Sequence, residues 1–210
     1  MKILLTGGKG YIGSKLLSQL KQQVLITSID YSQVSIDKNF IQLDLTDIDQ
    51  VNRFAENCDD FKALIFLVGL AHKKGKGKEL SQFRNINKQT LVNLLSILEE
   101  KDKLPDKIIF ASTISVYGEK LNQTVYTEDS DKNPFSPYAV TKLESEEYLL
   151  KNYSDKSWIL RFAPVYSSDF LLNINRRIRM GSKFYRVGKG SRKLSLCNIE
   201  NIRVAVEAII

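Results

Sequence analysis

The sequence predicts an α/β protein built on a doubly wound parallel sheet, and three observations support that expectation. Short uninterrupted apolar runs, Ile3–Leu5 and Ala63–Val68, are the pattern of strands buried on both faces. Longer stretches carry apolar residues at three- and four-residue spacing, as at Ile12, Leu16, Leu17 and Leu20. Strand and helix patterns then alternate as far as about residue 162, the order that parallel strands with helical crossovers require.

The elements follow in order. The first strand ends at Thr6. Gly7, Gly10 and Gly13 come next at three-residue spacing, and Gly8, Gly10 and Gly13 also satisfy G-x-G-x-x-G. After the first helix, a strand pattern from Val24 to Ile29 ends in Asp30. Each part suits a dinucleotide. The glycines permit a tight turn and close approach of the backbone to a pyrophosphate. The helix N-terminus directs unpaired N–H groups at the phosphates. Asp30 can accept from both ribose hydroxyls and repels a 2′-phosphate, which favours NAD over NADP. Strand, glycine loop, helix, second strand and terminal acid together specify a Rossmann-type half.

Beyond a loop, Phe40–Asp44 reads as a short strand, and Asp47 is placed to cap a helix burying Val51, Phe54 and Ala55. The run Ala63–Val68 leads into Gly69, His72 and a lysine-rich loop. A helical pattern spans Leu80 to Lys101, and a strand from Lys107 to Ala111 runs into Ser112-Thr113. The polar stretch 119–135 is long for a connection, which points to function or mobility. Ser136 and Pro137 open a helix in the preferred way, hydroxyl at the N-cap and proline at N1, and that helix carries Tyr138, Lys142 and Glu146. Strand Ser157–Phe162 follows. Past Ala163 the alternation weakens. The pattern there suggests a helix from Asp169 to Met180, strands Lys183–Val187 and Lys193–Cys197, and a last helix from Ile199. The expected division is a dinucleotide-binding domain over 1–165 and a small, incomplete substrate lobe over 166–210, because the last apolar face ends without a following element. Trp158 and the phenylalanines are expected in the core.

Composition narrows the function classes. With 43% hydrophobic and 26% charged residues, the chain reads as globular, not disordered. No apolar run approaches bilayer length, and the run after Lys2 stops too early for a signal peptide. Cys58, Cys197 and the single histidine, His72, supply neither a disulfide framework nor a metal site. The expected compartment is the cytoplasm. The net charge of +7 is concentrated partly in Lys73, Lys74, Lys76 and Lys78 and in Arg176, Arg177 and Arg179. No nucleic-acid-binding motif accompanies it, so the surplus reads as solvated charge with a few side chains facing an anionic substrate.

Tyr138 and Lys142 stand at i and i+4 and share a helix face. Bringing a phenol of pKa ~10 near neutrality requires roughly 4 kcal/mol. One ammonium at ~4 Å in an effective dielectric of ~20 supplies about that much. Tyr-x-x-x-Lys is therefore a sufficient proton-transfer device beside a dinucleotide, and alone it is only a common surface pair.

The motifs Thr6-Gly-Gly-Lys-Gly-Tyr-Ile-Gly13, Asp30, Asp44-Leu45, Asn87, Ser112-Thr113 with Val116-Tyr-Gly118, Pro137-Tyr-Ala-Val-Thr-Lys142 and Leu160-Arg-Phe with Val165-Tyr166 run in order along nearly the whole chain. Together they resemble the extended short-chain dehydrogenase/reductases, and within them the NAD-dependent nucleotide-sugar epimerase/dehydratase family. The resemblance implies NAD held by Gly7, Gly10, Tyr11, Ile12, Gly13 and Asp30, with Asp44 and Leu45 bordering the adenine. It places Leu67, Val68 and Gly69 along the cofactor cleft and Asn87 near it. Thr113 would hydrogen-bond the reacting sugar oxygen, Tyr138 would move the proton, and Lys142 would bind the nicotinamide ribose and tune Tyr138. The implied partner is a nucleotide-diphosphate sugar, with neither nucleic acid nor membrane, and a homodimer is a candidate assembly. Arg177 and Arg192 are candidates for diphosphate contacts, with solvated arginine an equal reading.

Departures from the family pattern narrow the activity. Ile114 and Ser115 stand where dehydratases carry an Asp-Glu pair and decarboxylating relatives keep a Glu, which disfavours both reactions. Pro164 stands where many epimerases have a substrate-contacting Asn, and Ser167 where they have Gly. The expectation is an NAD-dependent sugar-nucleotide epimerase. A 4-keto-sugar reductase and a non-catalytic NAD-binding regulator are the alternatives, and intact Thr113, Tyr138 and Lys142 argue against the regulator.

Overall fold

Parallel strands form the backbone of the molecule. The computed structural model describes residues 1–32, 39–71, 80–118, 125–186, 189 and 193–210. Strands β1 (Lys2–Thr6), β2 (Leu25–Asp30), β3 (Phe40–Gln42), β4 (Ala63–Phe66), β5 (Lys107–Thr113) and β6 (Ser157–Phe162) make one six-stranded sheet in the order β3-β2-β1-β4-β5-β6. Every pairing in it is parallel. The order reverses between β1 and β4, and that switch point opens a crevice at the C-terminal strand ends.

Alternate residues of each strand enter different cores. Leu4, Leu64 and Phe66 join α2 (Ile48–Asn57) and α4 (Thr90–Glu100) on one face. Ile3, Leu5 and Ile65 join α1 (Tyr11–Leu20) and α7 (Ile199–Ile209) on the other. Period-two strand geometry makes continuous apolar runs and two-sided burial the same fact. Among the described residues, no helix is long and apolar enough to cross a membrane.

Helix caps match the expectation closely. Asp47 accepts from Gln50 N at 3.1 Å at the start of α2. Ser136 Oγ accepts from Ala139 N at 3.2 Å at the start of α5 (Pro137–Asn152). The long helix expected over Leu80–Lys101 is interrupted. It runs as α3 (Leu80–Arg84), a π-helical turn (Asn85–Gln89) and α4. That wider turn buries Asn87 among structural partners, and an apolar periodicity does not report such a change of pitch.

Past β6 the structure is more fragmentary than the pattern suggested. β7 (Val165–Tyr166) pairs in parallel with β10 (Cys197–Asn198), and α6 covers only Leu172–Ile178. β8 (Arg179–Met180) and β9 (Lys183–Phe184) form a small exposed hairpin. The helix expected from Asp169 begins later because Ser167 and Phe170 exchange backbone hydrogen bonds of 3.2 Å in a tight turn. α7, counted from sequence with the substrate lobe, buries Ile199, Ile202 and Val206 against the main sheet. Trp158 is not core. It lies on edge strand β6, 36% exposed, with Lys107 Nζ 5.9 Å from its ring centroid. Phe135 and Phe184 are likewise exposed. His72, Lys73, Lys74, Lys76, Lys78 and part of the 119–135 stretch lie outside the described residues.

Candidate functional site

The first loop is built for close backbone approach. Gly7 takes φ +74°, and a Cβ there would lie 3.2 Å from the Leu67 carbonyl carbon. At Gly13 a Cβ would overlap the Gly7 carbonyl oxygen and come within 2.8 Å of Gly8 Cα. Gly10 caps α1 with no side-chain hydrogen bond, and the first turn contains no acid. The leading N–H groups of α1 thus meet no side-chain acceptor at their cap, which is the condition for receiving an anion. Tyr11 stacks on Phe170, centroids 4.0 Å apart, and its hydroxyl bonds to Ser167 Oγ. Ile12 packs toward the α1 core.

Asp30, at the end of β2, fastens this loop. Its Oδ2 accepts from Lys9 N at 3.0 Å, and its Oδ1 from Ser32 N and Oγ at 3.1 and 3.0 Å. A carboxylate has about four acceptor sites and three are used, so Oδ2 keeps room for one further donor, such as a single ribose hydroxyl. Asp44 Oδ1 is occupied by Thr46 N and Oγ1 at 2.8 and 2.7 Å. Leu45 is a buried core residue whose carbonyl accepts from Asn93 Nδ2 at 3.0 Å.

A second group gathers beyond β4. Leu67 N donates to Thr6 Oγ1 at 3.3 Å, joining the two strand ends. Lys142 Nζ donates to Val68 O at 3.3 Å and lies 4.5 Å from the Phe110 ring centroid. A Cβ on Gly69 would sit 3.2 Å from that Nζ and 3.7 Å from Asn87 Oδ1. Asn87 Oδ1 accepts from Leu70 N at 2.6 Å while its Nδ2 donates to Thr141 Oγ1 at 2.9 Å. Asn87 therefore ties the loop after β4 to α5.

Thr113 ends β5, 8% exposed, and its Oγ1 accepts from Ser115 N at 3.2 Å to cap the 3₁₀ turn Ile114–Tyr117. Tyr138 occupies the first turn of α5, half-buried, and its hydroxyl has no hydrogen-bond partner among the described residues. Burial pushes the Tyr138 phenol up to about 12. Lys142 is 2% exposed. Burial pulls its ammonium down to about 7, with Glu146 opposing. The i,i+4 arithmetic assumed the ammonium would lower the phenol. Burial here disfavours the charged form of each group instead.

Arg177 is not drawn into this group. It is exposed on α6 and donates to Asn173 O at 2.6 Å, within its own helix. Arg192 lies outside the described residues.

The sequence profile of the NAD dependent epimerase/dehydratase family matches residues 3–209. The chain belongs to that family. Among epimerase-family relatives, a putative UDP-glucose 4-epimerase of Methanocaldococcus jannaschii is 31% identical over 175 residues, covering 78% of this chain and 56% of that protein. A putative UDP-arabinose 4-epimerase 2 of Arabidopsis thaliana is 32% identical, with 80% and 44% covered. The chain thus spans about half the length of the curated relatives it matches. A UDP-glucuronic acid 4-epimerase from Bacillus cereus, solved with NAD, superposes with a TM-score of 0.77 at 25% identity, covering 99% of this chain and 72% of that one.

Sequence reasoning missed one feature of this epimerase-family site, a buried ion pair between Glu146 and Arg161, 2.7 Å apart. The signal was present, because Glu146 falls at i+4 from Lys142 and so shares its helix face. The partner strand could not be named without the fold.

Proposed function

We propose that the chain forms the cofactor half and part of the substrate site of an NAD-dependent nucleotide-sugar 4-epimerase. Residues 1–165 hold the dinucleotide and 166–210 border the substrate. One observation carries the reading. The C-terminal ends of β1, β4 and β5 present the glycine loop, the Val68–Lys142 contact and Thr113 along one edge of the sheet, with Tyr138 on the same helix as Lys142. The relatives named as UDP-sugar 4-epimerases support the substrate class.

The residues fit the cofactor. Gly7, Gly10, Tyr11, Ile12 and Gly13 would face the pyrophosphate, because the cradle has no room for a Cβ at Gly13 and the helix cap lacks a side-chain acceptor. Asp30 keeps acceptor capacity for the ribose. Asp44 and Leu45 would border the adenine, and Leu67, Val68, Gly69 and Asn87 the remainder. NAD, when bound, supplies the hydride acceptor. Tyr138 takes the proton of the sugar hydroxyl and later returns it, so the protein ends each cycle unchanged. Thr113 holds the reacting oxygen by its hydroxyl. Lys142, charged, bonds the nicotinamide ribose and stabilises the phenolate, work for which its burial strengthens each electrostatic contact.

Pro164 has no side-chain amide where many epimerases place an asparagine, which keeps a 4-keto-sugar reductase as the second reading. Purified chain incubated with UDP- and dTDP-sugars, with and without external NADH, separates them. Epimeric product without net change in cofactor supports the epimerase. NADH consumption with a keto-sugar supports the reductase. NAD bound without turnover of any sugar nucleotide refutes both.

A further inference from the structure

Behind the candidate site lies a carboxylate that the proposed chemistry does not use. Glu146 is fully buried on α5, one helical turn beyond Lys142. Its Oε1 accepts from the Ser112 hydroxyl at the end of β5 and from Arg161 Nε at 3.1 Å. Its Oε2 accepts from Arg161 Nη2 at 2.7 Å. From β6, Arg161 also donates through Nη1 to Tyr117 Oη at 2.7 Å and to Glu128 O at 3.2 Å. Its guanidinium carbon lies 5.1 Å from the Tyr117 ring centroid. One carboxylate thereby holds together α5, the last residues of β5, the 3₁₀ turn that Thr113 caps, β6 and the segment containing Glu128.

Packing alone does not account for a charged pair in this place. Taking two charges out of water costs several kcal/mol per ion, and apolar residues of similar volume often hold elements together as well or better. A fixed anion does something that an apolar residue cannot, because it acts on a neighbouring charge. Lys142 Nζ faces the Val68 carbonyl and the Phe110 ring, with the uncharged Asn87 amide nearby and the Tyr138 phenol one turn earlier. Glu146 stands one helical turn beyond Lys142 on the same face of α5, where its charge opposes the loss of the proton that burial favours.

We propose that Glu146 is a positioning residue with two tasks: it clamps the Thr113-bearing end of β5 onto the α5 face that carries Tyr138 and Lys142, and it supplies the anion that opposes the discharge of Lys142 by burial. This assignment rests on the epimerase reading for its catalytic meaning, but its electrostatic part is measurable without turnover.

The test uses the full chain without substrate, its lysines ¹³C-labelled, and follows the Lys142 ε-carbon by NMR against pH; Lys142→Met identifies the signal. Glu146→Gln is expected to lower the Lys142 midpoint by roughly half a pH unit or more. Arg161→Gln breaks the same ion pair but leaves the carboxylate, and is expected not to lower it. A purely structural role would move the midpoint alike in both variants or in neither, and either result overturns the proposal. Should a single variant fail to fold, the double variant Glu146→Gln, Arg161→Met removes both charges together. It must still show a drop, smaller because the Arg161 cation leaves with the anion, and an unchanged midpoint there also overturns the proposal. A chain that turns over no sugar nucleotide still yields these midpoints, so failure of the epimerase reading is seen separately. Where turnover is present, the alkaline limb of kcat falls in Glu146→Gln by the same shift, and an unmoved limb counts against the proposal.

Discussion

Replacing Gly13 by alanine tests the phosphate cradle at its tightest point. The new Cβ would overlap the Gly7 carbonyl oxygen and lie 2.8 Å from Gly8 Cα and 3.0 Å from the Gly7 carbonyl carbon. All three neighbours are backbone atoms, so a side-chain rotation cannot relieve the clash. Overpacking of this kind costs about 1–3 kcal/mol. Alanine recovers ~1 kcal/mol of helix propensity, since Gly13 lies inside α1. The net loss of stability is therefore at most about 2 kcal/mol. The effect on NAD is expected to be larger in proportion. A displaced loop loses one charge-assisted N–H contact to the pyrophosphate, about 1.5–3 kcal/mol, which weakens binding roughly 10–100-fold. Calorimetric titration with NAD and urea denaturation measure the two quantities on the same sample. Gly10→Ala is the control for the stability measurement alone, because its Cβ would lie 3.2 Å from the Gly7 oxygen, a contact that a small adjustment relieves. If Gly13→Ala binds NAD as tightly as the parent chain, or if Gly10→Ala is the more destabilising change in urea, the cradle argument is wrong.

Tyr138→Phe removes only the phenolic oxygen and is expected to lower turnover by at least about 10²-fold while NAD affinity stays near the parent value; a loss of NAD binding instead would contradict the assigned role. Lys142 has its pKa lowered on folding, to about 7 from 10.5, so the unfolded chain binds more protons between those values and stability rises with pH across that window. Lys142→Met removes this dependence. Relative to the parent it gains on the order of 4 kcal/mol more at pH 7 than near pH 10.5, and urea denaturation at the two pH values that gives equal differences refutes the burial argument. Ser136→Ala deletes the hydroxyl that caps α5 at Ala139 N. It is expected to cost about 1 kcal/mol in thermal or chemical denaturation and to leave the sheet intact.

Much of this molecule was legible because its signals are local. Ile3–Leu5 and the run from Ala63 had to be strands buried on both faces, since an uninterrupted apolar run has no polar side to show to water, although the second strand ends at Phe66 and Leu67 and Val68 lie beyond it. Ser136-Pro137 had to start a helix, since the hydroxyl satisfies an early N–H and the proline needs none. The glycine spacing declared a close approach, and Gly13 meets backbone at the distance that excludes any side chain. The region after Phe162 was less legible. Its strands are two residues long, and their pairing of Val165 with Cys197 joins segments far apart in sequence. Trp158 looked like core because large aromatics usually are, yet β6 is the last strand of the sheet and has a neighbour on one side alone.

The sequence by itself determined the sheet type, the glycine loop, the acid at the end of β2 and the shared face of Tyr138 and Lys142, because each depends on residues within a few positions of one another. Only the tertiary structure decided the proton balance of that face and what stands behind it. Burial raises the phenol and lowers the ammonium. The carboxylate that opposes the lowering of the ammonium is anchored by a serine on β5 and an arginine on β6. Electrostatics depends on what surrounds a group in space, and those surroundings are assembled from strands that the chain visits far apart.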